Sequence, residues 1–187
     1  MTDIDPGKDP FLRVLDSDAH LPDAVKRLHS RPAAYTGLCD IERGKGIAIA
    51  IALAIGRFPR SGTDVPVLMH IQKEGEVWTW DRKFSGHRTR SELSVDTRRN
   101  SVKERFGSLC LWLRPVPSGS NLHIEIIRLT VFGVPCPRAL LPQSATVEWQ
   151  DNAGRFRFDV SARVPGLGKL IRYQGWLTPD RSATGDA

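Results

Sequence analysis

Apolar and polar residues change their spacing at Pro59. Beyond it the chain runs in short stretches of alternating polarity, with little helical periodicity, broken by Gly, Pro, Asn and Asp. The alternation predicts strands over Val65 to Lys73, Glu76 to Phe84, His87 to Val95, Val102 to Pro115, Leu122 to Phe132, Ala145 to Gln150, Phe156 to Val164 and Leu170 to Leu177. Reversals fall at Glu74-Gly75, Ser85-Gly86, Pro117 to Asn121 and Asp151 to Gly154. Links this short impose antiparallel neighbours. The expected fold is mainly β with an α+β flavour: an antiparallel curved sheet or β-barrel of about eight to nine strands, because a large open sheet leaves edges exposed.

Two or three short N-terminal helices precede the strands. Asp9-Pro10 reads as an N-cap with proline at the first helical position, and Phe11, Leu12, Val14 and Leu15 give that helix an apolar side. Pro22 and Asp23 open a second, in which Leu21, Val25 and Leu28 recur at helical spacing. Lys26, Arg27 and His29 favour its negative end, and Arg31-Pro32 closes it. Tyr35 to Glu42 is strand-like, and Gly44 to Gly46 then breaks the chain before IAIAIALAI at Ile47 to Ile55. Strict alternation allows a strand there, but alanine is a good helix former and a poor strand former, and the helix is the better reading.

Composition narrows the picture. With 187 residues, 40% apolar and 26% charged, residues 1–179 suit one domain that needs no disulfide or metal to hold it, and 180–187 suit a disordered tail. Cys39, Cys110 and Cys136 are odd in number and widely spaced, which argues against a disulfide framework or zinc site; no metal and no cofactor are expected. The polar, acidic start lacks the profile of a secretory signal, so a cytoplasmic location is expected. The longest apolar run, Ile47 to Ile55, falls short of the ~20 residues of a membrane span. Much of the +6 net charge sits between Arg82 and Arg105, where eight Lys/Arg stand against Glu92, Asp96 and Glu104. Arg88, Arg90, Arg98 and Arg99 are the candidate surface patch for an anionic partner, or the solvated outer face of a sheet.

Four segments together resemble a bacterial family: FLRVLDSDAHLPDAVKRLHS near the start, GTDVPV, VKERFGSLCLWL, and GRFRFDVSARVPGLGKLIRYQGWLTP, the most specific, near the end. The chain is identified as a member of domain-of-unknown-function family 4166. In some relatives the resembling domain follows a saccharopine-dehydrogenase-like or short-chain-dehydrogenase-like half. The resemblance therefore implies a possible separate oxidoreductase partner, and it supplies no catalytic residues. A local departure from the family pattern is the alanine–isoleucine run at Ile47 to Ile55.

The residues offer no recognisable catalytic set. GKG at Gly44 to Gly46 lacks dinucleotide-loop spacing, and G-x-S-x-G and H-E-x-x-H are absent. No nucleic-acid signature accompanies the aromatics. Trp78, Trp80, Arg82 and Phe84 share one face of a strand and could line an apolar cavity with a charged group at its mouth, or simply pack the core. His123 and Glu125 share a face opposite Leu122, Ile124 and Ile126; inside the fold they would form an acid–base pair, and outside it the wet face of a half-buried strand. Glu104 and Tyr173 complete the candidate ligand-binding set. The leading expectation is a non-catalytic binding domain for an apolar or lipid-like small molecule. The alternative is an accessory domain working through its basic surface.

Overall fold

The computed structural model describes residues 7–180. Its elements are α1 (Pro10–Arg13), α2 (Asp23–Ser30), β1 (Ala33–Arg43), α3 (Ile47–Ile55), β2 (Gly62–Glu74), β3 (Val77–Phe84), β4 (His87–Asp96), β5 (Ser101–Phe106) and β6 (Leu109–Ser118). There follow β7 (Asn121–Val131), β8 (Val134–Pro135), a 3-10 turn (Arg138–Leu140), β9 (Gln143–Ser144), β10 (Thr146–Gln150), β11 (Phe156–Val164) and β12 (Gly168–Pro179). Of the expected tail, residues 181–187 lie outside the described residues; Asp180 is tied by its N–H to the Ala34 carbonyl at 2.8 Å.

Ten strands close a barrel. β1 to β7 pair in chain order, β7 pairs β10, and β11 and β12 lead back to β1, every pairing being antiparallel. The two-residue strands β8 and β9 attach outside the ring, to β7 and β11. Closure removes the open edges that a sheet of this size would expose. The single run expected over Val102 to Pro115 is two strands, because Gly107 takes a positive φ of 56° and reverses the chain between Phe106 and Leu109.

Side chains alternate across the wall as the pleat demands. On β1, Tyr35, Gly37, Cys39 and Ile41 are buried; on β7, Leu122 and Ile124 are buried while His123 and Glu125 face solvent. Glycine is required on β1 and β12 where backbones approach closely: a Cβ on Gly37 would collide with the Trp176 carbonyl, and one on Gly175 with that of Leu38.

The helices occupy opposite ends. β1 joins α2 to α3, and its eleven residues span about 36 Å, the length of the barrel wall. α1 starts as its sequence indicates, with the Asp9 carboxylate accepting from the N–H groups of Phe11 at 2.9 Å and Leu12 at 3.2 Å. Ile47 to Ile55 is helical, and only Ile49 and Leu53 of its large side chains are buried. No helix among the described residues is long and apolar enough to cross a membrane.

Candidate functional site

The inward faces of the barrel strands leave a hollow of about 430 Å³. Phe11, Leu28 and Trp80 close it at the α1–α2 end, while Ala48, Ala52, Leu140 and Leu167 border it at the α3 end. Leu140 and Leu167 are also exposed, so the hollow reaches the surface beside α3. Its wall is mostly apolar, including Val67, Met69, Phe84, Leu113, Ile124 and Phe158.

Within this wall stand a few polar groups. The Arg82 guanidinium lies 3.5 Å from the Glu104 carboxylate, donates to Ser91 Oγ at 3.1 Å, and sits 5.0 Å from the centre of the Trp80 ring. The pair is partly buried, so each charge lowers the cost of keeping the other there. Tyr173 stacks on Phe84 with ring centres 5.5 Å apart, and burial pushes its hydroxyl far above the ordinary tyrosine value. It remains a neutral O–H, a donor rather than an anion. The indole N–H groups of Trp78 and Trp80 are buried without a hydrogen-bond partner.

A second polar cluster fills the α2 end. His29 Nδ1 lies 2.6 Å from Asp9 Oδ2, and Nε2 lies 2.9 Å from Glu148 Oε2, with all three residues buried. A neutral imidazole carries one N–H and could serve only one carboxylate as donor; the imidazolium serves both. Burial alone would push the His29 pKa down, but the charges and hydrogen bonds of Asp9 and Glu148 outweigh it and raise the pKa to about 10. Burial also raises the Asp9 carboxyl, against the attraction of His29, so the cluster shares its protons as one unit. Each member comes from a different element, α1's cap, α2 and β10. The cluster therefore staples the helical plug to the wall, helped by the Ala24 N–H donating to Gln150 Oε1 at 2.8 Å.

Of the residues singled out from sequence, Trp80, Arg82, Phe84, Glu104 and Tyr173 meet at the hollow. Trp78 is wholly buried in the core but does not border it. His123 and Glu125 require correction as interior groups: Leu122 and Ile124 take the inward face of β7, which turns both residues outward, and Glu125 faces Arg114 at 3.8 Å. The basic patch divides. Arg88 and Arg90 lie on the exposed face of β4, where Arg88 pairs with Asp81, while Arg98 and Arg99 lie in the β4–β5 turn, where Arg99 pairs with Asp96 at 3.0 Å.

Asp9, His29 and Glu148 were missed as a group. His29 follows Val25 by four residues and so belongs to the buried face of α2, a signal that was present in the spacing. Glu148 gave none, because Val147 and Trp149 beside it suggest the opposite inward face.

A closed antiparallel barrel, plugged by helices at one end and enclosing an apolar hollow with a few inward polar groups, defines a small β-barrel domain. The chain belongs to the family described as Domain of unknown function (DUF4166), whose model matches residues 21–177, in agreement with the resemblance of its sequence segments. No curated protein matches it.

Proposed function

We propose that the barrel is a binding domain that holds an apolar or lipid-like small molecule in its interior. The observation that carries this reading is the hollow itself: about 430 Å³, walled mainly by aliphatic and aromatic side chains and open beside α3. Pockets of roughly 300–1,000 Å³ with an apolar lining and a few placed polar groups suit small organic ligands. The Tyr173 hydroxyl offers a donor to a polar group on such a molecule, and the Arg82–Glu104 pair offers both signs of charge. An uncharged passenger with one or two polar atoms matches that set better than an ion does. The residues most directly involved are Trp80, Arg82, Phe84, Glu104 and Tyr173.

The test combines native mass spectrometry of gently purified protein, denaturing extraction of any passenger, and titration with a fluorescent fatty-acid analogue. Val160 borders the hollow and is only partly buried, so Val160→Trp should fill space with little strain, and Ala162→Leu provides a milder version. Saturable uptake by the native chain, weakened about tenfold or more in the folded Val160→Trp protein, is expected. Uptake that is equal in both variants and the native chain would place the probe elsewhere and sink the proposal.

A further inference from the structure

Exposed apolar side chains are unevenly distributed over this barrel. Ile47 and Ile51 on α3, Phe132 and Val134 around the β7–β8 turn, Leu140 of the 3-10 turn and Leu167 of the β11–β12 turn are all solvent-exposed, Ile47 by 83% and Phe132 by 71%. They belong to one end of the molecule. Successive barrel strands reverse direction, so the β3–β4, β5–β6, β7–β8 and β11–β12 turns come to the end at which β1 enters α3. Direct contacts agree: Ser108 Oγ lies 3.4 Å from the Ile55 carbonyl, the Phe132 N–H donates to Ser108 O at 2.8 Å, and the Gly44 N–H donates to Leu170 O at 2.9 Å.

The turns at this end are basic, although Glu42 and the exposed Asp64 flank them on β1 and β2. Residues 43–63, 85–87, 107–108, 132–142 and 164–169 contain no Asp or Glu, and they carry Arg43, Lys45, Arg57, Arg60, Arg138 and Lys169. Lys169 is paired with Glu42 at the end of β1. The opposite end is mixed, with Glu74, Glu76, Asp96 and Asp151 near its turns. A rim of exposed isoleucine, leucine, phenylalanine and valine interspersed with an excess of cations, six against Glu42 and Asp64, fits a surface that is apolar within and negative without. It does not fit a second copy of itself, since two such rims would face cation to cation.

We propose that the α3 end of the barrel docks on an anionic phospholipid surface. Ile47, Ile51, Phe132 and Leu167 enter the boundary between headgroups and acyl chains, and Lys45, Arg57 and Arg60 meet the phosphates. Each cation held near an anionic surface strengthens binding by about fivefold, and the inserted side chains add their burial. The docked rim is also the border of the hollow, so a passenger would cross between bilayer and barrel without passing through water. The docking itself rests on the rim and stands whether or not the hollow is occupied.

Sedimentation of the full chain with vesicles tests it. Binding to equimolar phosphatidylcholine and phosphatidylglycerol is expected, weaker by about tenfold or more on phosphatidylcholine alone, and reversed by high salt. Combining Ile47→Glu with Ile51→Glu should weaken binding to anionic vesicles by a similar factor while the thermal melt is kept, since both side chains are exposed. Leu68→Glu, exposed on the barrel wall instead, should bind as the native chain does. Failure to sediment with anionic vesicles, or sedimentation untouched by the α3 changes, overturns the proposal. So does a dimer in analytical ultracentrifugation that the α3 changes dissociate, because the rim would then be a protein interface. Vesicle binding without uptake of a fatty-acid analogue would leave the docking intact and remove the interior ligand.

Discussion

Substituting His29→Leu isolates the staple between the helical plug and the wall. Leucine keeps an apolar body against Phe11 and Trp80, whose rings lie 5.0 Å and 5.4 Å from the imidazole, but leaves Asp9 and Glu148 facing each other without a cation. Removing one partner of a buried charge pair typically costs about 3–5 kcal/mol, and at this chain length 1 kcal/mol moves the melting temperature by about 2–4 °C, so a fall of roughly 10–15 °C at neutral pH is expected. The pH profile gives a sharper signature. His29 has a folded pKa of about 10 against an ordinary 6.5, so its contribution is fully present below pH 6.5 and is lost as pH rises through about 10. Linkage sets a ceiling of about 5 kcal/mol on that loss. Asp9, also raised on folding, acts in the same direction, its stabilisation being lost as pH rises above the unfolded carboxylate range. Melts followed by circular dichroism across this range, native against His29→Leu, should show curves that converge as pH approaches 10. Parallel curves, or melting temperatures within about 3 °C of each other at neutral pH, would mean that the imidazolium does not hold the plug.

Two further outcomes follow from the wall. Gly37→Ala should lower stability by about 3 kcal/mol, at the upper end of overpacking costs, because the new methyl meets the Trp176 backbone and neither strand can yield without loosening the β1–β12 ladder; a change below about 1 kcal/mol in urea unfolding would contradict the close approach. Cys39 is buried, and loss of solvation pushes its thiol up to about 12, so a thiol reagent at mildly alkaline pH should modify Cys110 and Cys136 well before it. Peptide mapping that finds Cys39 modified first would refute its burial.

The alternation on β3, β4, β7 and β11 made most of the wall legible, because each strand buries its bulky face and the pleat has a period of two. The cap at Asp9 and the helix at Ile47 to Ile55 were legible from local chemistry. The β5–β6 turn was not, since Gly107-Ser108 interrupts an otherwise continuous apolar and polar run. At the site, the aromatics of β3 could be placed on one face, but the partner of Arg82 could not be chosen, because Glu104 lies two strands away across Ser91. Glu148 was hidden for a different reason: a buried carboxylate is explained only by the cation that meets it, and that cation comes from a helix more than a hundred residues earlier. His123 and Glu125 read more readily as the wet face of a half-buried strand than as an interior pair, and the closed ring turns both outward.

The seam between β1 and β12 has a consequence for biosynthesis. Tyr35 lies opposite Pro179, so the first wall strand waits for the last before its outer edge is satisfied, and β7 likewise waits for β10. At about 5–20 residues per second, a ribosome would hold the unfinished ring open for several seconds or more after β1 emerges. Two unpaired strand edges and an uncovered apolar interior are available to other chains throughout that interval. Nascent-chain crowding and holding chaperones are therefore expected to govern the yield of this domain more strongly than its final stability does.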